Sequence, residues 1–334
     1  MTQLSKFPLA WIALLALGAL TSCGAGETSK GPAPLVLERT IALPGVSGRI
    51  DHMVLDAAGK RLFVAALGAN SVEVVDLAQG RRTARITGLA KPQGLAWLVD
   101  RGELMVANGD GRVAFYDGVT LKARGVVALG GDADNIRLDG LGRPVVGYGD
   151  GGLATLDPAR RVVVATAALP KHPESFRIDG ARAYVNVPDA GRVVVVDLTT
   201  GATLSSRRTP GLRFNYPMAL DATHQVLAVV FRLPARLKLL DAATGRARLE
   251  TATCGDADDL FFDERRQRIY VVCGSGAVDV FRATGPVDFR RLTSIPTRQG
   301  ARTGLYSPEA DRLYVAARAT EGQPAAILVY KPAP

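Results

Sequence analysis

Two short segments, Gly131–Asn135 (GDADN) and Gly255–Asp259 (GDADD), place two and three acids respectively ahead of an apolar run that itself ends in Asp (IRLD and LFFD). Carboxylates offer three kinds of chemistry. They are hard oxygen ligands for cations, they accept protons, and they repel one another when crowded, which raises their pKa values. Five more segments have the same form: DHMVLD, QGLAW, ESFRID, YPMALD and RTGLYS. Aligned on the turn that closes each run, one column reads Asp51, Gln93, Asp134, Glu174, Tyr216, Asp258 and Arg302, and the next contributes His52, Asn135, Ser175 and Asp259. Four acids at one structural position need compensation from Arg302, from a bound cation or from water. Calcium takes roughly six to eight oxygen ligands. The carboxylates, Asn135 and Ser175 are such donors, with His52 and His172 beside them, so calcium or another divalent ion is the candidate cofactor. The simpler reading, which comes first, is a watery polar lining in which Arg302 bridges to an acid; a small-ligand or substrate pocket comes next and the metal site last. Arg137 and Arg177 follow two residues after the second column. The two-residue strand period puts them on its face, where they can ion-pair between neighbouring elements or meet an anionic ligand.

The elements that carry these columns repeat. The runs Leu62-Phe63-Val64, Leu104-Met105-Val106, Pro144-Val145-Val146, Ala183-Tyr184-Val185, Leu227-Ala228-Val229, Ile269-Tyr270-Val271 and Leu313-Tyr314-Val315 recur at a spacing of about 40 residues. About ten residues after five of them comes a second apolar run closed by Asp76, Asp117, Asp157, Asp197 or Asp241, each read as a turn-former that bonds its own backbone. Every unit reads as four strands separated by turns rich in Gly, Asp, Asn and Pro, and no segment keeps a helical period. Seven four-stranded units of this length predict an all-β seven-bladed β-propeller over residues 35–334, its blades antiparallel. The last unit supplies only three strands before Pro334, and PLVLERTIAL (Pro34–Leu43) can add the fourth, so that the N-terminal strand closes the ring and removes an open edge. The innermost strands line the axis, and the aligned columns ring the channel mouth on the face built from blade-to-blade links and second turns.

The units RLFVAALGANSVEVVDLAQGR, RAYVNVPDAGRVVVVDLTTGAT and RLYVAARA resemble the YVTN-type repeats of bacterial seven-bladed β-propellers. The resemblance covers nearly everything after residue 34. It implies the fold and leaves the function open, since such repeats serve as binding surfaces, surface-layer modules and parts of dehydrogenases.

The first 22 residues read as a secretory leader, with Lys6 followed by the apolar run FPLAWIALLALGAL. Its end, Leu20-Thr21-Ser22-Cys23, resembles the lipobox of bacterial lipoproteins. That resemblance implies cleavage before Cys23, lipidation of its thiol and, because Gly24 follows rather than Asp, an outer-membrane address. Residues 23–34 then form the lipidated Cys and a flexible tether. An exported protein meets an oxidising compartment, and the hairpin read around Arg265 brings Cys273 near Cys254 as a candidate disulfide; two separate buried thiols are the alternative. The net charge of +9 comes from scattered arginines with few aromatics among them, which is a solvated basic surface and not a nucleic-acid groove.

No Gly-x-Ser-x-Gly, His-Glu-x-x-His, Cys-x-x-Cys-His or Walker motif is present, and three histidines cannot build a histidine-rich metal centre. The leading expectation is an envelope-anchored binding or scaffolding module. It would be attached to the membrane by lipid and would work through the channel-mouth face on an envelope protein or a small-molecule ligand. The alternative is a metal-assisted hydrolase of lactone type. Propeller lactonases are similar in architecture, with acids and Asn around the axis and a divalent ion that polarises a carbonyl, although no motif matches position by position. A weaker third reading is a redox partner module, since quinoprotein dehydrogenase subunits have similar blades; no haem site or recurring Trp supports it.

Overall fold

Apolar runs rich in Val, Leu and Ile, punctuated by turn-forming residues, fold as strands along the whole of the chain's main unit, Pro34–Pro334. The computed structural model describes Met1 and residues 33–56, 60–285 and 288–334. The leader, Cys23 and nearly all of the tether lie outside the described residues. The described residues form seven sheets of four antiparallel strands. Blades 1 to 6 are consecutive meanders over residues 53–87, 92–128, 133–168, 176–208, 213–252 and 257–296. Blade 7 combines Thr303–Ser307, Arg312–Ala317 and Ala325–Pro332 with the N-terminal strand Leu35–Leu43, which pairs antiparallel to Ala325–Pro332 from Leu35↔Pro332 to Leu43↔Ala325. The expected closure therefore forms.

The buried apolar residues fall into seven clusters, one between each pair of successive blades. Phe63 and Val72 of blade 1 meet Leu104 and Val106 of blade 2. Ile41 and Leu43 join Ile327 and Ala316 of blade 7 to Leu62 and Val64 of blade 1, which completes the circle. Each fully buried Leu, Ile or Phe in these seams contributes about 1.5–3 kcal/mol of transfer free energy, so the ring is held by packing between sheets and not within them.

The recurring Asp at the end of the third strand acts as the sequence suggests. Oδ1 of Asp76, Asp157 and Asp197 accepts a backbone N–H from two or three residues on, at 2.8 Å in each case. Cys254 and Cys273 form a disulfide, Cα atoms 5.9 Å apart, between the link into blade 6 and the end of that blade's second strand.

Candidate functional site at the channel mouth

Links and second turns share one face. The backbone N–H of Gly68, Gly149 and Gly274, each in a second turn, donates at 2.8 Å to the carbonyl of Arg49, Asp132 and Asp256 in the preceding link. This accounts for the repeated Gly-Asp-Ala-Asp segment. The carbonyl of the first Asp pins the link to the second turn, the Ala is fully buried in the seam, and the second Asp reaches the axis.

Adjacent residues of a regular strand face opposite ways, yet both members of the pairs Asp51–His52, Asp134–Asn135, Glu174–Ser175 and Asp258–Asp259 line one axial cavity, with Arg49, Tyr216 and Thr303. The register explains this. In blades 2, 3, 5 and 6 the pairing of first and second strands shifts between Pro92 and Leu95, Ala133 and Ile136, Asn215 and Met218, and Ala257 and Asp259. A bulge at that point re-aims consecutive side chains. In blades 1 and 4 the regular strand starts only after the ring, at Met53 and Phe176. The bulge in blade 2 needs Gly94, because any Cβ there would overlap the carbonyl oxygen of Asp134.

The ring is compensated unevenly. Asp51, 3% exposed, meets the Arg49 guanidinium at 2.8 Å and His52 Nδ1 at 2.9 Å. His52 Nε2 is 2.9 Å from Asn135 Oδ1. Burial disfavours the charged imidazole, but the hydrogen bond and charge of Asp51 outweigh it and hold the His52 pKa at about 9. Burial likewise opposes ionisation of Asp51; His52, Arg49 and Arg302 overcome it and its pKa falls. Asp258 pairs with Arg232 and with Arg302 Nε at 2.9 Å, while Asp256 accepts from Arg302 Nη1 at 3.0 Å. Burial still pushes the Asp258 carboxyl upward.

Asp134 and Glu174 differ. Among the described residues neither has an ion-pair partner, and Asp134 Oδ1 is buried without a hydrogen bond. Burial, then the Asp51 charge, raises Asp134 to about 6, and burial with the Asp134 charge raises Glu174 well above the usual range. The described ring thus ends in two carboxyl groups whose ionisation is disfavoured and which would welcome a cation. His172 stands beside them, with one ligand atom from each of Asp134, His172 and Glu174 lying within 4.8 Å of the others. Its Nδ1 is 2.6 Å from the carbonyl of Gly149. A carbonyl only accepts, so Nδ1 donates this bond and Nε2 is the ring nitrogen left to serve as a ligand, the orientation found in metal-binding histidines. One imidazole with two carboxylates suits a zinc- or manganese-like ion better than calcium. A second cluster within the same span, Asp51, His52 and Asp134, fits a metal less well, since His52 Nε2 is taken by Asn135 Oδ1 and Nδ1 faces Asp51 at 2.9 Å.

Two residues of the aligned columns stand outside the cavity wall. Gln93 turns to Asp132, donating at 2.6 Å, and Arg302 lies behind Asp258 as its ion-pair partner. Arg49, Arg232 and Asp256 are participants that the column alignment misses. Arg232 comes from the second strand of blade 5, stacks 4.0 Å from the Tyr216 ring centre and reaches Asp258 across a blade boundary. Asp132 and Asp256 were legible as the first acid of each GDAD copy. The enclosed axial space is about 20 Å³, enough for one water or one bare ion and for no organic substrate.

No protein-family model and no curated protein matches the chain by sequence. Solved structures do match it over nearly its full length. A chain of a mitotic checkpoint complex superposes with a TM-score of 0.76 at 14% identity, covering 99% of this chain and 98% of that one. A chain of the Kuenenia stuttgartiensis hydrazine synthase gives 0.74 at 16%, covering 87% and 99%. The WD40 repeats of RRP9 give 0.76 at 12%, covering 88% and 96%. At such identities the likeness carries architecture alone, and it agrees with the strand count: the chain is a seven-bladed β-propeller.

Proposed function

We propose that the chain is an exported, lipid-anchored propeller of the YVTN-repeat type that works as a binding module, presenting its channel-mouth face to an envelope partner. The observation that carries this reading is the form of the mouth. Charged groups from several blades converge there, yet the axial space behind them admits only an ion or a water. What binds must lie across the face and cannot enter it. Propeller folds are typically used in this way, as rigid surfaces bearing loops from many blades. The lipobox-like Leu20–Cys23 supports the anchor.

Photo-crosslinking side chains placed at the exposed positions Asp150 and Asp189 (mouth face), and at Leu141 on the opposite face, test the reading in cells. A discrete adduct from the mouth positions alone is expected; adducts from Leu141 alone, or none, would refute it. Labelled palmitate should enter the wild-type chain and not the Cys23→Ser variant.

The grouping of Asp134, His172 and Glu174 favours one second reading, a metal-assisted hydrolase acting on a lactone or similar ester lying over the mouth. A bound divalent ion would supply Lewis acidity; the two carboxylates and His172 Nε2 would hold it. A lactone screen with zinc, manganese or calcium decides, since activity that disappears in Asp134→Ala is required.

A further inference from the structure

Beyond the mouth, the axis widens again into a second cavity of about 340 Å³. His52 and Asp259 line both spaces and so form the partition between them. Asp259 accepts the Gly304 N–H at 2.8 Å. The walls of the wider space are apolar, with Val54, Ala96, Phe261 and Leu305 from four blades, and two cations, Arg137 and Arg177, project into it from blades 3 and 4.

These arginines were expected to ion-pair between blades, and the structure corrects that. Among the described residues neither has a carboxylate partner within ion-pair distance. Arg137 donates from Nη1 to the Ile136 carbonyl at 2.7 Å and from Nη2 to Asn135 Oδ1 at 3.0 Å. Arg177 donates from Nη1 alone, to the Phe176 carbonyl at 2.9 Å and Ser175 Oγ at 3.2 Å. A guanidinium has five N–H donors, so among the described residues Nε of both and Nη2 of Arg177 remain unused. Their local bonds fix the side chains in place, and the charge of Asp259 on the same cavity wall offsets the two cations only in part. Burial lowers both pKa values, and the neighbouring Arg137 charge helps push Arg177 down to about 9. Two like charges held side by side against apolar walls form an arrangement that an anion would relieve.

We propose that this end of the channel binds an organic monocarboxylate with an apolar body. The carboxylate bridges Arg137 and Arg177, and the body packs on Phe261, Leu305 and Val54. A fork of guanidinium donors matches carboxylate geometry. The volume lies at the low end for small-molecule sites, which selects a short aliphatic or single-ring acid. Inorganic phosphate would leave the apolar walls wet.

Calorimetric titration of the full chain with octanoate and with 3-phenylpropanoate, against octylamine and inorganic phosphate, tests the site. At least one carboxylate should bind, and the preferred one defines the body shape; octylamine should not bind, and phosphate should bind more weakly. Arg137→Gln and Arg177→Gln should each weaken carboxylate binding about tenfold or more, the scale of a charge-assisted hydrogen bond. Leu305→Trp fills the cavity while keeping both arginines, and should also abolish binding; it carries the test if an arginine variant fails to fold. Equal binding of octanoate and octylamine, no carboxylate binding at millimolar concentration, or binding that survives in the folded arginine variants and in Leu305→Trp overturns the proposal.

Discussion

Replacing Asp134 by Asn should make the protein more stable at neutral pH, although Asp134 is among its most buried polar residues. The ordinary expectation for deleting a buried charge is loss, because a partner is left behind. Among the described residues Asp134 has no such partner. Its carboxyl is 5% exposed, Oδ1 is unbonded, and burial together with Asp51 raises its pKa from 3.8 to about 6. A carboxyl raised on folding binds a proton in the native state that the unfolded chain has already released. Wild-type stability therefore falls as pH climbs from about 4 to about 6. At 1.36 kcal/mol per pKa unit the cost at pH 7 reaches about 3 kcal/mol, a ceiling because the charge of Asp134 also supports His52. For a chain of this size about 2 °C of melting temperature accompanies each kcal/mol, so Asp134→Asn should melt about 2–6 °C higher at pH 7 in chelator. The difference should shrink to nothing near pH 4. His52 acts in another window. Its raised pKa gives wild type a stabilisation that is complete below about 6.5 and is lost as pH rises through about 9; in Asp134→Asn this contribution is smaller, because the Asp134 charge helps to raise the His52 pKa. The assay is calorimetric melting from pH 4 to 8 with EDTA. Parallel pH curves, or a variant that melts lower at pH 7, would refute the account of the ring. Repeating the melts with zinc or manganese addresses the metal: wild type should gain stability with ion concentration and Asp134→Asn should gain little.

Gly94→Ala should cost more than about 2 kcal/mol by chemical denaturation, since its methyl group overlaps the Asp134 backbone and overpacking a dense site forces backbone movement; a neutral result would mean the bulge is not needed to aim Asp134. Cys254 and Cys273 are 19 residues apart, so reduction, or the double Ser variant, should lower stability by about 3 kcal/mol, and reductant should leave the double variant unchanged. Deleting residues 34–43 removes the buried Leu35, Ile41 and Leu43 and bares the edge of Ala325–Pro332. Loss of more than about 5 kcal/mol or association through that edge is expected by denaturation and light scattering, and a stable monomer would contradict closure by this strand.

The repeat spacing, the alternation of apolar runs with turns, and the three-strand final unit were enough to read seven blades, their strand order and the closing strand, because each is a local property of the chain. The aligned column was legible for the same reason: equivalent turns put equivalent residues at one end of equivalent strands, which is how Asp51, Asp134, Glu174 and Asp258 were found. Tertiary structure alone decided which acids are neutralised. Arg49 and Arg232 enter from a link and from a neighbouring blade's second strand, and they pair with Asp51 and Asp258 while, among the described residues, Asp134 and Glu174 form no ion pair. Bulges aimed consecutive residues at one cavity against the two-residue period. Arg137 and Arg177 form no ion pair among the described residues: across the cavity Phe261 and Leu305 are apolar, and Asp259, which shares the cavity, acts on them only through its charge. Periodicity along a strand is written in the sequence; the distance between side chains of different blades is fixed only when the ring closes.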